Sequence, residues 1–294
     1  MHPALKIIVL TGRRNLPNPE VDFIFQERLF DAGSQQGVGF DGTYFYATGG
    51  VGQDPEEQWL LLKYDTSGSL IDSRDTGADG EGLHTQVAGV YPDRAGKLYV
   101  CANNFLSSEG ETQSDPKGWV LEYDDELNFI TSHSLGAKIT EAIWPWNGYW
   151  WEVNWSAHEI RQFNSSFSLV AAHALPDNDP AIPNWQAIFV INGIFYLNLH
   201  GQNIDAPLIR AYRWNGGGFD AVITTAAPPT ANCTQGAYYH GDYIWWAERI
   251  NLHVRAAIVR STAFVTTPDG VELREDGSFE LREDGTRELR EVAP

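Results

Sequence analysis

The chain has 294 residues, 43% hydrophobic and 13% aromatic, which is enough apolar material for a sizeable core and excludes a disordered chain. Its formal net charge of -19 argues against binding to nucleic acid or to an anionic membrane surface, because both need clustered Lys and Arg. Its two cysteines, Cys101 and Cys233, are too few for a disulfide framework and lack the spacing of a zinc site.

The N-terminal segment predicts no membrane insertion. The apolar run at residues 7–10 is too short for a secretion signal or a membrane span, so we expect a cytoplasmic product with residues 1–18 as an N-terminal arm. The segment FIFQERLF (23–30) then reads as a strand without a local partner. We expect it to pair with the last repeat and remove an exposed sheet edge.

A block of sequence recurs five times at intervals of about 50 residues, which is typical of solenoids, propellers or arrays. Each copy starts with Gln or Glu, followed by an apolar run, a Gly-containing turn and an aromatic-rich run. The five starts are Gln36, Gln86, Glu141, Gln186 and Gln235.

Each repeat continues into a third run such as WLLLKYD (59–65) and a fourth such as SLIDS (69–73). Alternating β-branched and aromatic residues, punctuated by Gly, Asn, Asp and Ser, indicate short antiparallel strands. Four strands per repeat form a propeller blade, so residues 19–267 are predicted to be an all-β, five-bladed β-propeller. The fourth run of the fifth repeat is either AFVTT (263–267) or the N-terminal FIFQERLF segment.

The recurrent Gln and Glu side chains are the first candidate ligand site. The innermost strands of a propeller line its central channel, so these five residues should form a ring around one mouth. One interpretation is structural, since buried amides must find hydrogen-bond partners in neighbouring backbone or water. The other is ligand binding, in which Glu141, as the one carboxylate, holds a cation or a sugar hydroxyl.

The third repeat, WPWNGYWWEVNW, is the second candidate site because it is rich in tryptophan. Alternation sends its side chains to opposite faces of a strand, so they cannot all be core. Exposed Trp faces stack on sugar rings or anchor interfaces, whereas packing between blades is the alternative fate. The candidates for a glycan platform are Trp144, Trp146, Trp151 and Trp185.

The C-terminal segment, residues 268–294, contains an eight-residue repeat of short alternating strands with E-D-G turns. Its apolar positions, which include Leu273, Phe279, Leu281 and Leu289, are predicted to share one face. A meander of this size cannot bury that face by itself. We therefore expect it to pack on the propeller, on another copy of the chain or on a partner protein.

The motif LREDG at residues 273–277 and 281–285 resembles the C-terminal repeats of small virion proteins of tailed bacteriophages. This resemblance covers about 20 of the 294 residues. It implies a structural protein of a phage particle, of the fibre, spike or decoration type, made in the host cytoplasm. Its partners would be other virion proteins, with a host-surface glycan as a second partner.

The alternative function is that of a carbohydrate-active propeller, either a lectin or a glycoside hydrolase. A hydrolase needs paired carboxylates, and the candidates Asp41, Glu141, Glu152 and Glu248 stand at non-equivalent repeat positions. We therefore assign no catalytic residue, and the sequence contains no cofactor-binding motif. The acidic loop DTGADGE (75–81) lacks the register of an EF-hand, so we assign no metal site.

Overall fold

The computed structural model describes residues 20–32, 36–49, 60–77, 79, 86–93, 95–104, 117–136, 139–154, 159–176, 185–199, 209–226, 233–241, 243–251, 255–266, 272–273 and 279–280. All regular elements in these ranges are β-strands, as the sequence predicts. Within the same ranges there is no helix able to cross a membrane.

The strands form antiparallel sheets in chain order. Strand β1 (Glu20–Ala32) precedes the first sheet, which contains β2 (Gly37–Phe40), β3 (Phe45–Thr48), β4 (Leu60–Tyr64) and β5 (Leu70–Asp75). The second sheet contains β6 (Gln86–Pro92), β7 (Lys97–Asn103), β8 (Gly118–Asp124) and β9 (Phe129–Gly136). The third contains β10 (Thr140–Trp146), β11 (Tyr149–Asn154), β12 (Glu159–Phe163) and β13 (Leu169–Ala174). The fourth contains β14 (Trp185–Ile191), β15 (Ile194–Leu199), β16 (Ile209–Trp214) and β17 (Phe219–Ala226).

A further sheet has six strands. It contains β18 (Cys233–His240), β19 (Tyr243–Asn251), β20 (Arg255–Thr266), β21 (Glu272–Leu273) and β22 (Phe279–Glu280), and β1 also pairs with β20. Strands β1 and β20 are paired from Glu20 opposite Thr266 to Ala32 opposite Ala256. The prediction that the 23–30 segment joins the last repeat is therefore confirmed.

The sheets have the arrangement of a β-propeller, in which each four-stranded sheet is a blade. The inner strands β2, β6, β10, β14 and β18 contact one another in sequence, and β18 also contacts β2. Inner strands are buried on both faces, as β14 shows along its whole length, whereas the outer strands β5 and β13 are mostly exposed. This gradient places the core between the sheets.

Small residues bring the inner strands into direct backbone contact around the axis. A Cβ atom on Gly89 would lie 2.7 Å from the carbonyl oxygen of Glu141, and one on Gly236 would lie 2.7 Å from the amide nitrogen of Val38. Ala142 and Ala187 line the same channel. Since no larger side chain fits between these backbones, the channel narrows here to a cavity about the size of one water molecule.

The turns between the third and fourth strands of the first three blades share one design. In the third blade, the Asn164 side chain accepts hydrogen bonds from the backbone N–H groups of Ser166 (2.9 Å) and Ser168 (3.0 Å). Its third turn residue, Phe167, has a positive φ of 57° and is buried. Leu127 holds the same place in the second blade, with a φ of 62°. Each buried side chain packs against the preceding blade.

The first blade has glycine at this turn position, and the N-terminal strand supplies the missing apolar group. Gly68 has a φ of 84°, and a Cβ placed on it would lie 2.5 Å from the Cβ of Phe30. The Phe30 ring packs 5.4 Å from the rings of both Phe45 and Tyr64. Phe30 of β1 therefore occupies the space that Leu127 and Phe167 occupy elsewhere.

The propeller has two ends, which we name by their strands. At the mouth end the inner strands begin, and at the turn end lie the tight turns that follow them. Strand β20 runs toward the turn end. Its pairing with β19 ends where Thr262 lies opposite Tyr243, and β20 continues beyond that point. Strand β21 joins this extension, with Glu272 opposite Thr266. The C-terminal strands therefore attach at the turn end.

Candidate functional site

Glu141 and Gln186 occupy the same position in neighbouring blades, at the mouth end. Each is the second residue of its inner strand and sits at a register shift, Glu141 before Ala142 and Gln186 before Ala187. A bulge of this kind re-aims a side chain that would otherwise follow the regular alternation. Both side chains are buried, with 5% of Glu141 and 4% of Gln186 exposed.

The other members of the predicted ring are placed less uniformly. Gln36 is half-buried, with its side chain against Gly49. Gln86 pairs with Asn103. The position directly before Gly89 is occupied by Ala88, so Gln86 lies two residues too early in the chain to match Glu141 and Gln186. Gln235 lies within the irregular stretch between Cys233 and Ala237. The side chains of Gln86 and Gln235 lie outside the described parts, so the ring of five stays a prediction.

The environment of Glu141 favours its neutral form. Burial raises the pKa of the Glu141 carboxyl well above its usual range, and the nearby charge of Glu152 raises that pKa further. Among the described residues, no hydrogen bond or ion pair reaches this carboxyl. A protonated Glu141 can donate one hydrogen bond as well as accept others.

Glu152 is held differently, although it is also fully buried. Both of its oxygens accept hydrogen bonds from Arg161, at 2.7 Å from Nε and 2.8 Å from Nη2. Nη1 of Arg161 also donates to the backbone oxygen of Leu135 in the second blade, at 2.8 Å. This bidentate pair neutralises Glu152 and ties two blades together. Glu152 therefore serves as a structural anion.

Several buried polar atoms at the mouth end have no hydrogen-bond partner among the described residues. They are Oγ1 of Thr140, both side-chain atoms of Asn154, Oε1 of Gln186, and Nε1 of Trp119 and Trp185. Thr140 and Asn154 are directly paired between β10 and β11, next to Glu141. Leaving one such group buried and unpaired would cost about 1–3 kcal/mol, so these atoms need a partner beyond the described residues, such as ordered water.

The sequence interpretation missed Thr140 and Asn154. A usable signal was present, because Asn recurs at the end of the aromatic-rich run as Asn103, Asn154 and Asn198, and all three are buried. Asn103 donates a weak hydrogen bond of 3.4 Å to the backbone oxygen of Thr140. Only the strand pairing shows that these amides meet the starts of the inner strands.

The tryptophans proposed as a glycan platform are packed between blades. Trp151 is fully buried and lies 5.0 Å from the rings of Phe195 and Trp214. Trp144 is buried against Tyr91 and Tyr238 across the channel. Trp146 is half-buried at the turn end, and Trp185 is buried at the mouth end. The structure does not gather these rings into an exposed platform, because inter-blade packing has taken them up.

The remaining candidate carboxylates do not converge on Glu141. Asp41 lies at the turn end, where it caps the β2–β3 turn and accepts a 2.8 Å hydrogen bond from the Tyr46 hydroxyl. Asp79 is paired with Arg74 at 2.7 Å. Over the described ranges, no group of three or more His, Cys, Asp or Glu residues could hold a metal ion. The side chain of Glu248 lies outside the described part.

The C-terminal repeat is described only at its first two strands. Leu273 in β21 is directly opposite Phe279 in β22, so these two residues are on the same face of the hairpin. The apolar face itself stays a prediction, because the side chains of these strands lie outside the described parts. Leu281 and Leu289 lie outside the described residues, and their place on that face stays a prediction.

The fold resembles solved structures at low sequence identity. The glutaminyl cyclase of Myxococcus xanthus matches with a TM-score of 0.59 at 13% identity, over 84% of this chain and 99% of that chain. A GH43_1 enzyme from Xanthomonas citri complexed with xylose matches with a TM-score of 0.54 at 12% identity, over 88% of this chain and 93% of that one. The PQQ-bound aldose sugar dehydrogenase of Streptomyces coelicolor matches with a TM-score of 0.50 at 9% identity, over 84% of this chain and 99% of that one.

No protein-family model matches the chain, and no curated protein matches it in sequence. The structural neighbours differ in chemistry from one another, and one fold hosts many unrelated functions. At identities this low, the likeness shows the β-propeller fold alone.

Proposed function

We propose that this chain is a structural protein of a tailed-phage particle, fixed through its C-terminal strands and presenting the mouth end to a glycan on the host surface. The observation that carries this proposal is the placement of the two features at opposite ends. Strands β20 and β21 meet at the turn end, whereas Glu141 and Gln186 begin the inner strands at the mouth end. Attachment through one end leaves the other accessible.

We count five blades in this propeller. The closed series of inner-strand contacts, from β2 through β18 and back to β2, supports this number. In the fifth blade, β1 takes the place of the outermost strand, next to β20. Closure by a strand from the opposite terminus of the domain protects the ring from opening at an unpaired edge.

The C-terminal strands are suited to assembly by strand addition. Strands β21 and β22 extend the last sheet, and strand addition at a sheet edge supplies backbone hydrogen bonds to another chain. The LREDG repeats continue beyond β22 in the sequence. Other virion proteins, or further copies of this chain, are the partners that this geometry fits.

Deletion of residues 268–294 tests the proposal. The shortened chain should keep the thermal unfolding transition of the propeller, because β20 retains β1 and β19 as partners on its two sides. The same deletion in the phage genome should remove the protein from purified particles, as measured by mass spectrometry. A truncated protein that unfolds, or that is still incorporated, would show that the C-terminal strands serve the propeller itself.

The alternative is a carbohydrate-active propeller, and the observation that favours it is the buried carboxyl of Glu141, for which the described residues supply no cation. A glycoside hydrolase needs a second free carboxylate at a defined distance, and Glu152 is engaged by Arg161. A lectin needs no second carboxylate, so the described residues favour binding over hydrolysis. A hydrolysis screen on the same glycans separates the two, since turnover abolished by Glu141→Gln would identify an enzyme.

A further inference from the structure

The two segments that flank the propeller leave it at the same place. Glu20, the first residue of β1, and Glu272 of β21 are both paired with Thr266 of β20. Since a strand has one neighbour on each side, β1 and β21 lie on opposite sides of β20, about 10 Å apart. The N-terminal arm (residues 1–18) and the LREDG repeats therefore start from neighbouring points at the turn end.

The pairing of the first two C-terminal strands indicates how the repeats are aligned. Leu273 of β21 is opposite Phe279 of β22, and residues paired in this way share one face of a sheet. The repeat is eight residues long, so the same register one repeat later places Leu289 opposite Phe279. The three apolar positions then form one row across three strands.

The propeller offers little to cover such a face. Thr262 of β20 pairs with Ile24 of β1 on one side and with Tyr243 of β19 on the other, so β21 continues the sheet on the β19 side. The adjoining blades present short turns of Asp41, Gly42 and Thr43 and of Asn192 and Gly193 at this end. These turns are polar or lack a side chain, and three short strands do not bury an apolar face alone.

We propose that residues 6–11 of the same chain, KIIVLT, pack on the apolar face of the LREDG repeats. The two flanking segments then form one module at the turn end. This inference goes beyond the proposed function and does not depend on it, because both segments belong to this chain whatever its partner is.

The composition of residues 6–11 suits this role. Four consecutive apolar residues, three of them β-branched, follow Lys6, and such a run has a high tendency to form a strand. Left uncovered, a run of this kind is an aggregation hazard. Packing it against the row of Leu273, Phe279 and Leu289 removes two exposed apolar surfaces with one contact.

The connecting chain is long enough for the contact. Eight residues, 12–19, separate the run from β1 and can span about 26–29 Å when extended. The row across three strands is only about 10 Å wide. Pro17 and Pro19 cannot donate hydrogen bonds to a ladder, so they favour a chain that leaves the line of β1 before it reaches the repeats.

The charges of the two segments are complementary. The arm contains Lys6, Arg13 and Arg14 and no acidic residue, whereas residues 268–294 contain nine acidic and four basic residues, a net charge of -5. Opposite charges attract the arm to the repeats, and like charges disfavour contact between the repeats of two copies. The short tether also gives the arm of the same chain a high effective concentration.

Hydrogen exchange of the full-length chain, followed by mass spectrometry, tests the contact. The double variant Ile7→Asp/Ile8→Asp places a charge on each face of the run, because successive side chains of a strand point to opposite sides. Amides of residues 271–291 should exchange about tenfold faster, or more, in this variant than in wild type. Strands β2–β19 should keep their wild-type protection. In a chain without residues 268–294, residues 6–11 should lose protection in the same way.

Two control variants separate the contact from a general effect of added charge. Ile71→Asp adds a carboxylate on the outer strand β5, where 52% of Ile71 is exposed, and should leave exchange of the repeats unchanged. Ile7→Val/Ile8→Val keeps the run apolar and should keep the protection. Arg13→Glu/Arg14→Glu should speed exchange of the repeats at about 50 mM salt and have less effect at about 500 mM, because salt screens the attraction.

The contact would be disproved by repeats that already exchange at the rate of an unfolded chain in wild type, or by unchanged exchange in Ile7→Asp/Ile8→Asp. Protection of residues 6–11 that survives removal of residues 268–294 would contradict it as well. Protection that is lost on dilution, together with a change from dimer to monomer in sedimentation, would assign the cover to a second copy and overturn the contact within one chain. Particle incorporation is a separate measurement, so each of these failures leaves the virion proposal standing.

Discussion

Substitution of Glu141 by Gln tests the electrostatic account of the mouth end. The folded-state pKa of Glu141 is raised by burial and by Glu152. The folded protein therefore keeps a proton that the unfolded chain releases above its own pKa of about 4.3. Since the unfolded state then binds fewer protons, the free energy of unfolding falls as pH rises.

The expected change in the free energy of unfolding follows from the titration of one proton. Between the unfolded and folded pKa values, wild-type stability should fall by about 1.4 kcal/mol for each pH unit relative to Glu141→Gln. Below the unfolded pKa the difference should be constant, because the acid is then protonated in both states. The amide leaves its own unpaired groups, which shift the whole curve by about 1–3 kcal/mol but do not change its slope.

Urea denaturation at pH 5, 6 and 7 measures this slope, with the m-value checked at each pH. Gln186→Glu is the reciprocal control, because it introduces a carboxyl at the equivalent bulge, where only 4% of the side chain is exposed. That variant should lose stability more steeply with pH than wild type. Parallel curves for wild type and Glu141→Gln would refute the reasoning and show that a group outside the described residues compensates the Glu141 charge.

Two packing predictions follow from the same geometry. Phe30→Ala should destabilise the propeller by about 2–3 kcal/mol, which is below the range for a fully buried phenylalanine because Phe30 is partly exposed. Thermal unfolding measures this loss. A change under about 0.5 kcal/mol would mean that β1 closes the ring through its backbone alone. Gly89→Ala should cost about 1–3 kcal/mol by overpacking the axis against Glu141, whereas Gly217→Ala, with nothing within 4 Å of the added atom, should leave stability unchanged.

The sequence determines most of the fold because its signals are local. Hairpin strands alternate with a period of two and are separated by Gly, Asn or Asp turns, so their existence and order follow from short windows. The pairing of the 23–30 segment with the last repeat followed from a general cost, that of an open sheet edge. The sequence could not predict that Phe30 fills the space beside Gly68, where other blades have a buried turn side chain, because this depends on contact between segments distant in sequence.

The candidate site was only partly predictable for a different reason. Glu141 and Gln186 stand out in the repeat, but the irregular pairing between Val87 and Val90 removes Gln86 from the equivalent position. A bulge changes register by single residues, and a repeat counted from the sequence does not contain that information. Asn154 was missed because its significance depends on its burial opposite Thr140 with no hydrogen-bond partner among the described residues.

The axis and the mouth end differ in how well their buried groups are accommodated. At the axis, glycine and alanine let backbones touch, and any added atom would have to displace main chain. A few residues away, Thr140, Asn154 and Gln186 keep buried polar atoms that apolar side chains of similar size would replace at a gain in stability. Tight packing beside unpaired polar groups is not explained by folding alone, because the same chain satisfies its turns and ion pairs elsewhere. The closed axis holds these polar groups in fixed positions, so their hydrogen-bond partner, ordered water included, has to fit a geometry that the backbone contacts set.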